Sequence, residues 1–524
     1  MVKHVIIAGL FITTSLFAQK KTPDNWLLLN PASDNVYGTG VEKAYETLAG
    51  KKTKTVIVAV IDSGTDIEHE DLKDIIWTNA GEIPDNGIDD DKNGFIDDVH
   101  GWSFLGGKNG DINYEASELA RIFQRMSKKF ENTDTTKLIG PEIAEFEEYK
   151  KIKSTFLTEQ SQQEKQLESI ELVYNFLNKV KKQNNGSLSK AAFTNYTAES
   201  DMEKRMKKGF KLAFAFGLKP EELDGQLKEG KEHFENNLKY NKMNADSIRE
   251  HVVGDNVNNV KERYYGCNRV KGPDALHGTH VSGIIAAIRN NTIGINGVAN
   301  DVKIMPVRAV PNGDERDKDI ANAIYYAVDN GATIINMSFG KYYSPDKKIV
   351  DEAVQYALSK DVLMIHAAGN DSKNSDIQLS FPNRELSSGI IVPNWIEVGA
   401  SGYQKGKNLI GSFSNYGKTK VDLFAPGVDI YSTVPDNKYL SESGTSMASP
   451  TTAGVAALIR SYYPELKAVE VKALLMKTVV PYNKKVIKPG TKKTKVKVKE
   501  LCISGGIVNA NNAVLELMGL NKTK

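Results

Sequence analysis

Cysteine is nearly missing from this sequence. The chain of 524 residues carries two, Cys267 and Cys502, so one disulfide is the maximum, and a fold held by several bridges or a four-cysteine zinc site is excluded. Whether the two pair is open at this level, and two separate thiols are the expectation. Histidine is also sparse, at eight residues. His277 and His280 stand three apart, but zinc would need further ligands, so His280 is expected to be a packed residue. An excess of either charge is absent: Lys+Arg 68 against Asp+Glu 66 gives +2. That balance argues against nucleic acid or an anionic membrane as the main partner. Long apolar runs are absent after the first segment, so no stable membrane insertion is expected. The first segment has Lys3 and His4 ahead of an apolar run, Val5 to Phe17, and then Ala18-Gln19. This reads as a signal peptide over 1–18, which would send the chain to the periplasm or the extracellular space. No cysteine follows closely enough for a lipid anchor.

What is present is an alternation of buried strands and helices. Thr55 to Asp62 (TVIVAVID) is a continuous β-branched run of the kind buried on both faces of a parallel sheet. Further strands are expected at 302–307, 333–338, 362–368 and 395–400, and helices at 317–329, 347–358 and 468–478. This βαβ order predicts a doubly wound, mostly parallel α/β sheet flanked by helices. From 106 to 263 the texture changes. No Gly or Pro occurs between Pro141 and Gly186. Apolar residues recur at helical spacing at Ile143, Phe146, Tyr149 and Ile152, then at Leu167, Ile170, Tyr174 and Leu177. The expected organisation is an N-terminal arm over 19–54, an α/β domain over 55–105 and 264–524, and an all-helical insertion over 106–263, with a second helical stretch from about 220 to 250. Lys484 to Lys499 reads as a hairpin about Pro489-Gly490. Its lysines protect an exposed strand edge or, in the other reading, make a polyanion patch.

Three polar side chains stand where parallel sheets gather chemistry. Asp62 closes the first strand. His277 opens a small-residue helix, Leu276 to Ala287. Ser446 sits in Gly444-Thr445-Ser446-Met447-Ala448-Ser449-Pro450, ahead of another buried helix. A helix start offers unpartnered N–H groups and the positive end of the dipole, which suit a nucleophile whose substrate becomes an oxyanion. Pro450 is tolerated in the first turn. Asp62 and Ser446 each also have a plain reading as a cap or turn residue. Asp62-Ser63-Gly64-Thr65 has the form of an aspartic peptidase signature, but the chain has no second copy to share a proton. A third feature is Asp85 to Asp98 (DNGIDDDKNGFIDD). Asp89, Asp91 and Asn93 occupy positions one, three and five of a calcium loop, Gly94 the sharp turn, Phe95 its carbonyl position and Asp97 position nine. His100 replaces the glutamate at position twelve. The other reading is an acidic surface turn.

Asp62, His277 and Ser446 come in the order used by subtilisins. Val58 to Gly64, His277 to Gly283 and Gly444 to Pro450 resemble the three motifs of subtilisin-like serine peptidases. Ala367-Ala368-Gly369-Asn370 resembles their oxyanion-hole motif, and Asn336 to Gly340 their substrate-binding strand. The resemblance covers about 41–105 and 266–517. It implies a serine endopeptidase working through an acyl-enzyme, with catalytic Asp62, His277 and Ser446 and with Asn370 in the oxyanion hole. Ser338, Phe339 and Gly340 would pair with an extended polypeptide substrate, and Ala367, Ala368 and Gly369 would line a roomy apolar pocket. It implies broad specificity with an apolar residue before the scissile bond. It also implies a structural calcium held by Asp71, the side chain of Asn291 and the carbonyls of Ile293 and Ile295. No organic cofactor is implied, and a monomer is expected. The chain departs from the pattern in the 215-residue separation of Asp62 and His277 and in an arm, 19–54, too short for the family's usual pro-domain. An inactive fold used for binding is the alternative class.

Overall fold

The computed structural model describes residues 22–520, apart from 216–217 and 221–222. The expected signal peptide, 1–18, lies outside the described residues. The chain divides into two compact units, one of Thr22–Asn113 with the chain from Asp246 onward, the other from Tyr114 to Ala245.

The first unit is built on a nine-stranded sheet. Its strands run, in spatial order, Val480–Pro481, Gly506–Ile507, Leu423–Pro426, Trp395–Ser401, Leu363–Ala367, Ile334–Met337, Val56–Asp62, Val302–Arg308 and Trp102–Ser103. All neighbours are parallel except Val480–Pro481, which runs antiparallel on Gly506–Ile507. Both edge strands are two residues long, which limits the unpaired edge they present. The central strands are mostly apolar because both faces are covered, with Asn336, His366 and Glu397 as buried polar exceptions. Side chains of a strand alternate between faces. Val58 and Val60 join a core with Val281, Ile284 and Ile285 of the helix Leu276–Ala286 and with Val455, Leu458 and Ile459 of the helix Thr445–Tyr462. Ala59 and Ile61 join the opposite core, with Ile320 and Ile324 of Asp317–Asp329 and Val350 and Val354 of Lys347–Ser359. This is the doubly wound α/β arrangement expected from the sequence. Parity then decides where the chemistry falls. Asp62 follows Val58 and Val60 at even spacing, so its carboxylate leaves the strand on the face of the Leu276 and Thr445 helices.

Cys267 is partly buried, Cys502 is buried, and both are free thiols. Burial raises the pKa of each, that of Cys502 to about 11, which keeps both protonated and unreactive.

The second unit is helical. Its helices are Glu118–Phe130, Pro141–Gln183, Lys190–Asn195, Asp201–Ala215 and Leu223–Tyr240. Pro141 opens the long helix in its first turn, where proline costs no hydrogen bond. Its 43 residues span about 65 Å at 1.5 Å per residue. A helix of that length needs packing along its course. Near its start Tyr149 and Phe156 stack on Phe123 and Phe130. Near its end Ile170, Val173, Leu177 and Val180 form a stripe against Phe193, Phe210 and Phe214. Residues 106–113 and 246–263 pack with the α/β unit. There Arg249 is buried in ion pairs with Asp255 at 2.8 Å and Asp319 at 2.7 Å.

Candidate active site

Asp62 is the last residue of its strand and His277 the second of its helix. Gly278 allows the two elements to meet, since a Cβ there would stand 2.1 Å from the Gly64 carbonyl oxygen and 3.2 Å from Asp62 Cβ. His277 Nδ1–H donates to Asp62 Oδ1 at 2.7 Å. The same oxygen accepts from the Ser63 N–H at 2.7 Å. Asp62 is 2% exposed. This bond fixes the tautomer with the proton on Nδ1 and a bare Nε2. That Nε2 is buried and has no hydrogen-bond partner. Buried polar atoms are nearly always paired, so Nε2 stands out as an unengaged acceptor. His280, by contrast, is fully buried and donates from Nε2 to the Leu440 carbonyl at 3.1 Å, as a packing residue would.

Ser446 is the second residue of the Thr445–Tyr462 helix and is 1% exposed. Its Oγ donates to the Ser338 carbonyl at 3.2 Å. His277 Nε2 therefore does not hold the Ser446 hydroxyl in this state. The helix start is braced from below. Ser338 Oγ donates to the Ser446 carbonyl at 2.9 Å and accepts from Asn336 Nδ2 at 3.0 Å. Ser449 Oγ donates to Asn336 Oδ1 at 2.8 Å. The buried strand end Asn336–Ser338 thus ties the helix that carries Ser446 to the sheet. Asn336 and Ser449 fall within the two motifs already named, but sequence reasoning gave neither a role.

Asn370 follows the strand Leu363–Ala367. Its Oδ1 accepts from the Thr445 N–H at 2.9 Å and from Thr445 Oγ1 at 3.0 Å. Thr445 Oγ1 also accepts from the Gly369 N–H at 3.0 Å. With Oδ1 so held, the amide is oriented with Nδ2 toward Gly444. A Cβ built on Gly444 would lie 3.4 Å from Asn370 Nδ2 and 3.5 Å from the Ser446 backbone nitrogen. Two N–H donors therefore converge on one point that the glycine leaves open. The φ of 172° at Gly444 is extended backbone, so the space and not the backbone calls for glycine. Gly444→Ala is expected to fold normally, since its contacts would be ordinary van der Waals ones, but to lower kcat by roughly tenfold or more, because a methyl group would fill the point between the two donors. Unchanged kcat in a folded Gly444→Ala protein would mean that the reaction does not use this point.

The remaining expected residues lie around these. Ser338 and Phe339 are buried and Gly340 is exposed. Beyond it Lys341 pairs antiparallel with Phe381, through bonds of 3.0 and 2.8 Å. Ala367 ends its strand. Ala368 and Gly369 are clamped by Asn415, whose Nδ2 donates to the Ala368 carbonyl at 2.8 Å and whose N–H donates to that of Gly369 at 2.8 Å.

The acidic loop is organised differently from the spacing argument. Asp89 accepts from the Asn93 and Gly94 N–H groups, and Asp97 from those of Asn86 and Gly87. Those carboxylates shape the loop. The Phe95 N–H donates to Asn93 Oδ1, and its ring packs on Trp102, Phe104 and Tyr326. The carboxylates whose oxygens gather within 4.8 Å of one another, among the described residues, are Glu82, Asp91 and Asp98. Their side chains meet neutral donors: Asn79 Nδ2 bonds Asp91 at 2.9 Å and Asp98 at 2.8 Å, and Tyr326 donates to Asp98 at 2.6 Å. Burial raises the pKa of Asp98, and the neighbouring Asp91 adds to this. Like charges at this range, with neutral donors around them, fit a hard divalent cation, which these three could hold. Glu82 lies outside the acidic run and gave no signal. At the other expected calcium position the structure does bring Asp71 to its loop. Asn291 Nδ2 donates to Asp71 Oδ1 at 2.6 Å, Ile295 N–H to Oδ2 at 3.0 Å, and Ile293 N–H to Asn291 Oδ1 at 3.1 Å. Gly294 is needed there, since a Cβ would stand 2.2 Å from Asp71 Oδ2. Burial raises the pKa of Asp71.

Among the described residues no helix is long and apolar enough to cross a membrane. A sequence model of the Subtilase family, Peptidase S8, matches residues 53–505. Among characterised proteins the chain is similar to a thermophilic serine proteinase of Bacillus sp. strain AK1, with 44% identity over 186 residues, 35% of this chain and 42% of that protein. It is similar to subtilisin DY of Bacillus licheniformis, with 38% identity over 204 residues, 38% of this chain and 69% of that protein. With the cell wall-associated protease of Bacillus subtilis strain 168 it shares 36% identity over 235 residues, 45% of this chain and 24% of that protein. The chain thus spans under half the length of the first and third of these. The doubly wound sheet, the Asp62–His277 pair at the strand end and helix start, and a family match over most of the sequence lead to one conclusion: the chain belongs to the Subtilase family.

Proposed function

We propose that this protein is an exported serine endopeptidase that cleaves polypeptides through an acyl-enzyme, with broad specificity and an apolar preference before the scissile bond. What carries the reading is the Asp62–His277 bond of 2.7 Å, which leaves a buried, bare Nε2. In the reaction Ser446 Oγ turns from the Ser338 carbonyl and gives its proton to His277 Nε2 as it attacks the substrate carbonyl. Asp62 holds the imidazole and stabilises the imidazolium. The negative charge on the carbonyl oxygen falls between Asn370 Nδ2 and the Ser446 N–H. His277 then returns the proton to the leaving amine, and water repeats the cycle on the acyl-enzyme. Ser338 to Gly340 would hold the substrate backbone as an added strand, with Ala367, Ala368 and Gly369 lining the pocket. The relatives named above are all proteases by name, and the N-terminal segment supports export to the periplasm or beyond. Hydrolysis of casein by the purified monomer, lost in Ser446→Ala, tests this. Casein left intact by well-folded wild-type protein would favour a binding module instead.

Calcium enters the proposal as a structural ion. Glu82, Asp91 and Asp98 would hold one, and Asp71 with the Asn291–Ile295 loop a second. A cation bound only by the folded state adds RT ln(1 + [L]/Kd), about 2.7 kcal/mol at a hundredfold excess over Kd. Chelation is expected to lower Tm and speed self-digestion while initial turnover holds, because no ion touches the reacting atoms. Glu82→Gln and Asp71→Asn should each remove part of that shift. Coincident melting curves in calcium and in chelator would refute both sites.

A further inference from the structure

The lysine hairpin is left over from this account. Between Glu470 and Glu500 the sequence contains no acidic residue and ten lysines, eight of them between 484 and 499. The whole chain is +2, so subtracting these ten charges leaves the rest at −8. Such segregation is not what solubility alone selects, which is mixed charge. The hairpin pairs Lys485–Ile487 with Lys495–Lys497, in the register Lys485 opposite Lys497, Val486 opposite Val496 and Ile487 opposite Lys495. Val486 is fully buried, Val496 packs against the same cluster, and Lys485, Lys495 and Lys497 are exposed. Like charges directly opposite one another destabilise a strand pair. None of the eight hairpin lysines forms an ion pair within the described residues. Lys488 lies over the Tyr416 ring at 5.1 Å. The nearby Glu500 is turned to the Lys497 N–H, and Asp376 to the N–H groups of Lys418, Thr419 and Lys420. Protecting an edge needs one or two charges, and eight uncompensated lysines exceed it.

The hairpin also reaches the active-site loop. The Gly490 N–H donates to the Ser412 carbonyl at 3.1 Å, and a Cβ on Gly490 would stand 3.0 Å from Ser372 Cβ. Ser372 is two residues beyond Asn370. Lys407 adds to the patch, its carbonyl accepting from the Ile487 N–H at 2.7 Å. No large apolar side chain is exposed on the hairpin between 484 and 499, so it lacks the wedge that would seat it in a bilayer. We propose that the Lys484–Lys499 hairpin is an exosite that draws acidic polypeptide segments to the cleft, making proteins with Asp/Glu-rich stretches the preferred substrates. The proposal rests on the endopeptidase reading.

The test compares two fluorogenic peptides with one cleavable core, flanked by Glu-rich or by Gly/Ser segments. At low ionic strength kcat/KM should favour the acidic peptide by roughly tenfold through KM, as charge steering into a cleft does. In high salt, where screening is short-ranged, the advantage should vanish. The triple variant Lys485→Gln, Lys495→Gln, Lys497→Gln should lose it too, with cleavage of the neutral peptide unchanged. The change removes a repulsion, so the variant is expected to fold. Equal kcat/KM for both peptides in the wild type, or an advantage that survives the variant, overturns the exosite. If neither peptide is cut, the endopeptidase reading has failed. Anisotropy with the labelled acidic peptide then still decides, because binding must weaken in the triple variant. Hairpin-dependent binding of a sulfated polysaccharide with none of the acidic peptide would assign the patch to glycans and overturn the proposal.

Discussion

Ser446→Ala is expected to fold like the wild type and to lose nearly all turnover, about 10⁶ in kcat on the scale known for subtilisin triads. The substitution removes one hydroxyl, which donates to the Ser338 carbonyl at 3.2 Å, so the stability cost is about 1 kcal/mol. Stability and activity therefore separate widely in this variant. Asp62→Asn should follow with a loss of about 10⁴, because an amide can donate to Nδ1 and so set the wrong tautomer. A double Asp62→Asn, Ser446→Ala variant should be little worse than Ser446→Ala alone, as expected of groups that act as one unit. Melting curves, casein hydrolysis and labelling by a serine-directed fluorophosphonate measure the three quantities. Covalent labelling requires Ser446 Oγ to leave Ser338 and reach His277 Nε2, so it reports the rotation as well as the chemistry. Labelling that persists in Ser446→Ala would place the nucleophile elsewhere. Turnover retained in Asp62→Asn would mean that the 2.7 Å contact is structural.

The fold was legible because its signals are local and repeated. A β-branched run such as Val56 to Asp62 says both strand and two covered faces. Its parity then places Asp62 on the side of the His277 and Ser446 helices. The order of Asp62, His277 and Ser446 could be seen, and Asp62 and His277 do meet. Helix boundaries in the second unit were harder. The stretch expected from about 220 to 250 is broken into Leu223–Tyr240 and Ala245–Val252, because Asn241 to Asn244 turn where periodicity alone would continue. The acidic loop was legible only in part. Spacing marks which residues could face a cation, but an aspartate is as well suited to capping N–H groups in a tight turn. Asp89 and Asp97 do that, and so does Glu82 toward the N–H groups of Asp90, Asp91 and Asp97, while Glu82 also joins Asp91 and Asp98 from a segment that spacing does not connect to them. The bracing of the Ser446 turn by Asn336, Ser338 and Ser449 is likewise invisible in one dimension. It depends on a strand end and a helix start separated by more than a hundred residues.

Asn370→Ala is expected to lower kcat by about 10²–10³ with KM nearly unchanged, which is what removing the side-chain donor of an oxyanion hole costs in subtilisin. The geometry gives the reason for that split. Asn370 Oδ1 is engaged twice by Thr445, so the amide cannot swing out to greet a neutral carbonyl, and its Nδ2 is set for an oxygen that arrives beside Gly444. A ground-state carbonyl is planar and carries little charge, so it gains little from this donor. The tetrahedral oxyanion gains most, and only stabilisation confined to the transition state alters kcat without KM. Thr445→Val sharpens the test. It removes the hydroxyl that bonds Asn370 Oδ1 and accepts from the Gly369 N–H, but leaves the Thr445 N–H to Asn370 bond in place. The amide should then be held by one bond instead of two, and kcat should fall by less than in Asn370→Ala, again at constant KM. In Asn370→Ala, Thr445→Val should add nothing further to the kinetic loss, because its effect passes through the missing amide. Full additivity of the two losses, or a rise in KM at unchanged kcat for Asn370→Ala, would show that Asn370 binds substrate and does not stabilise the oxyanion.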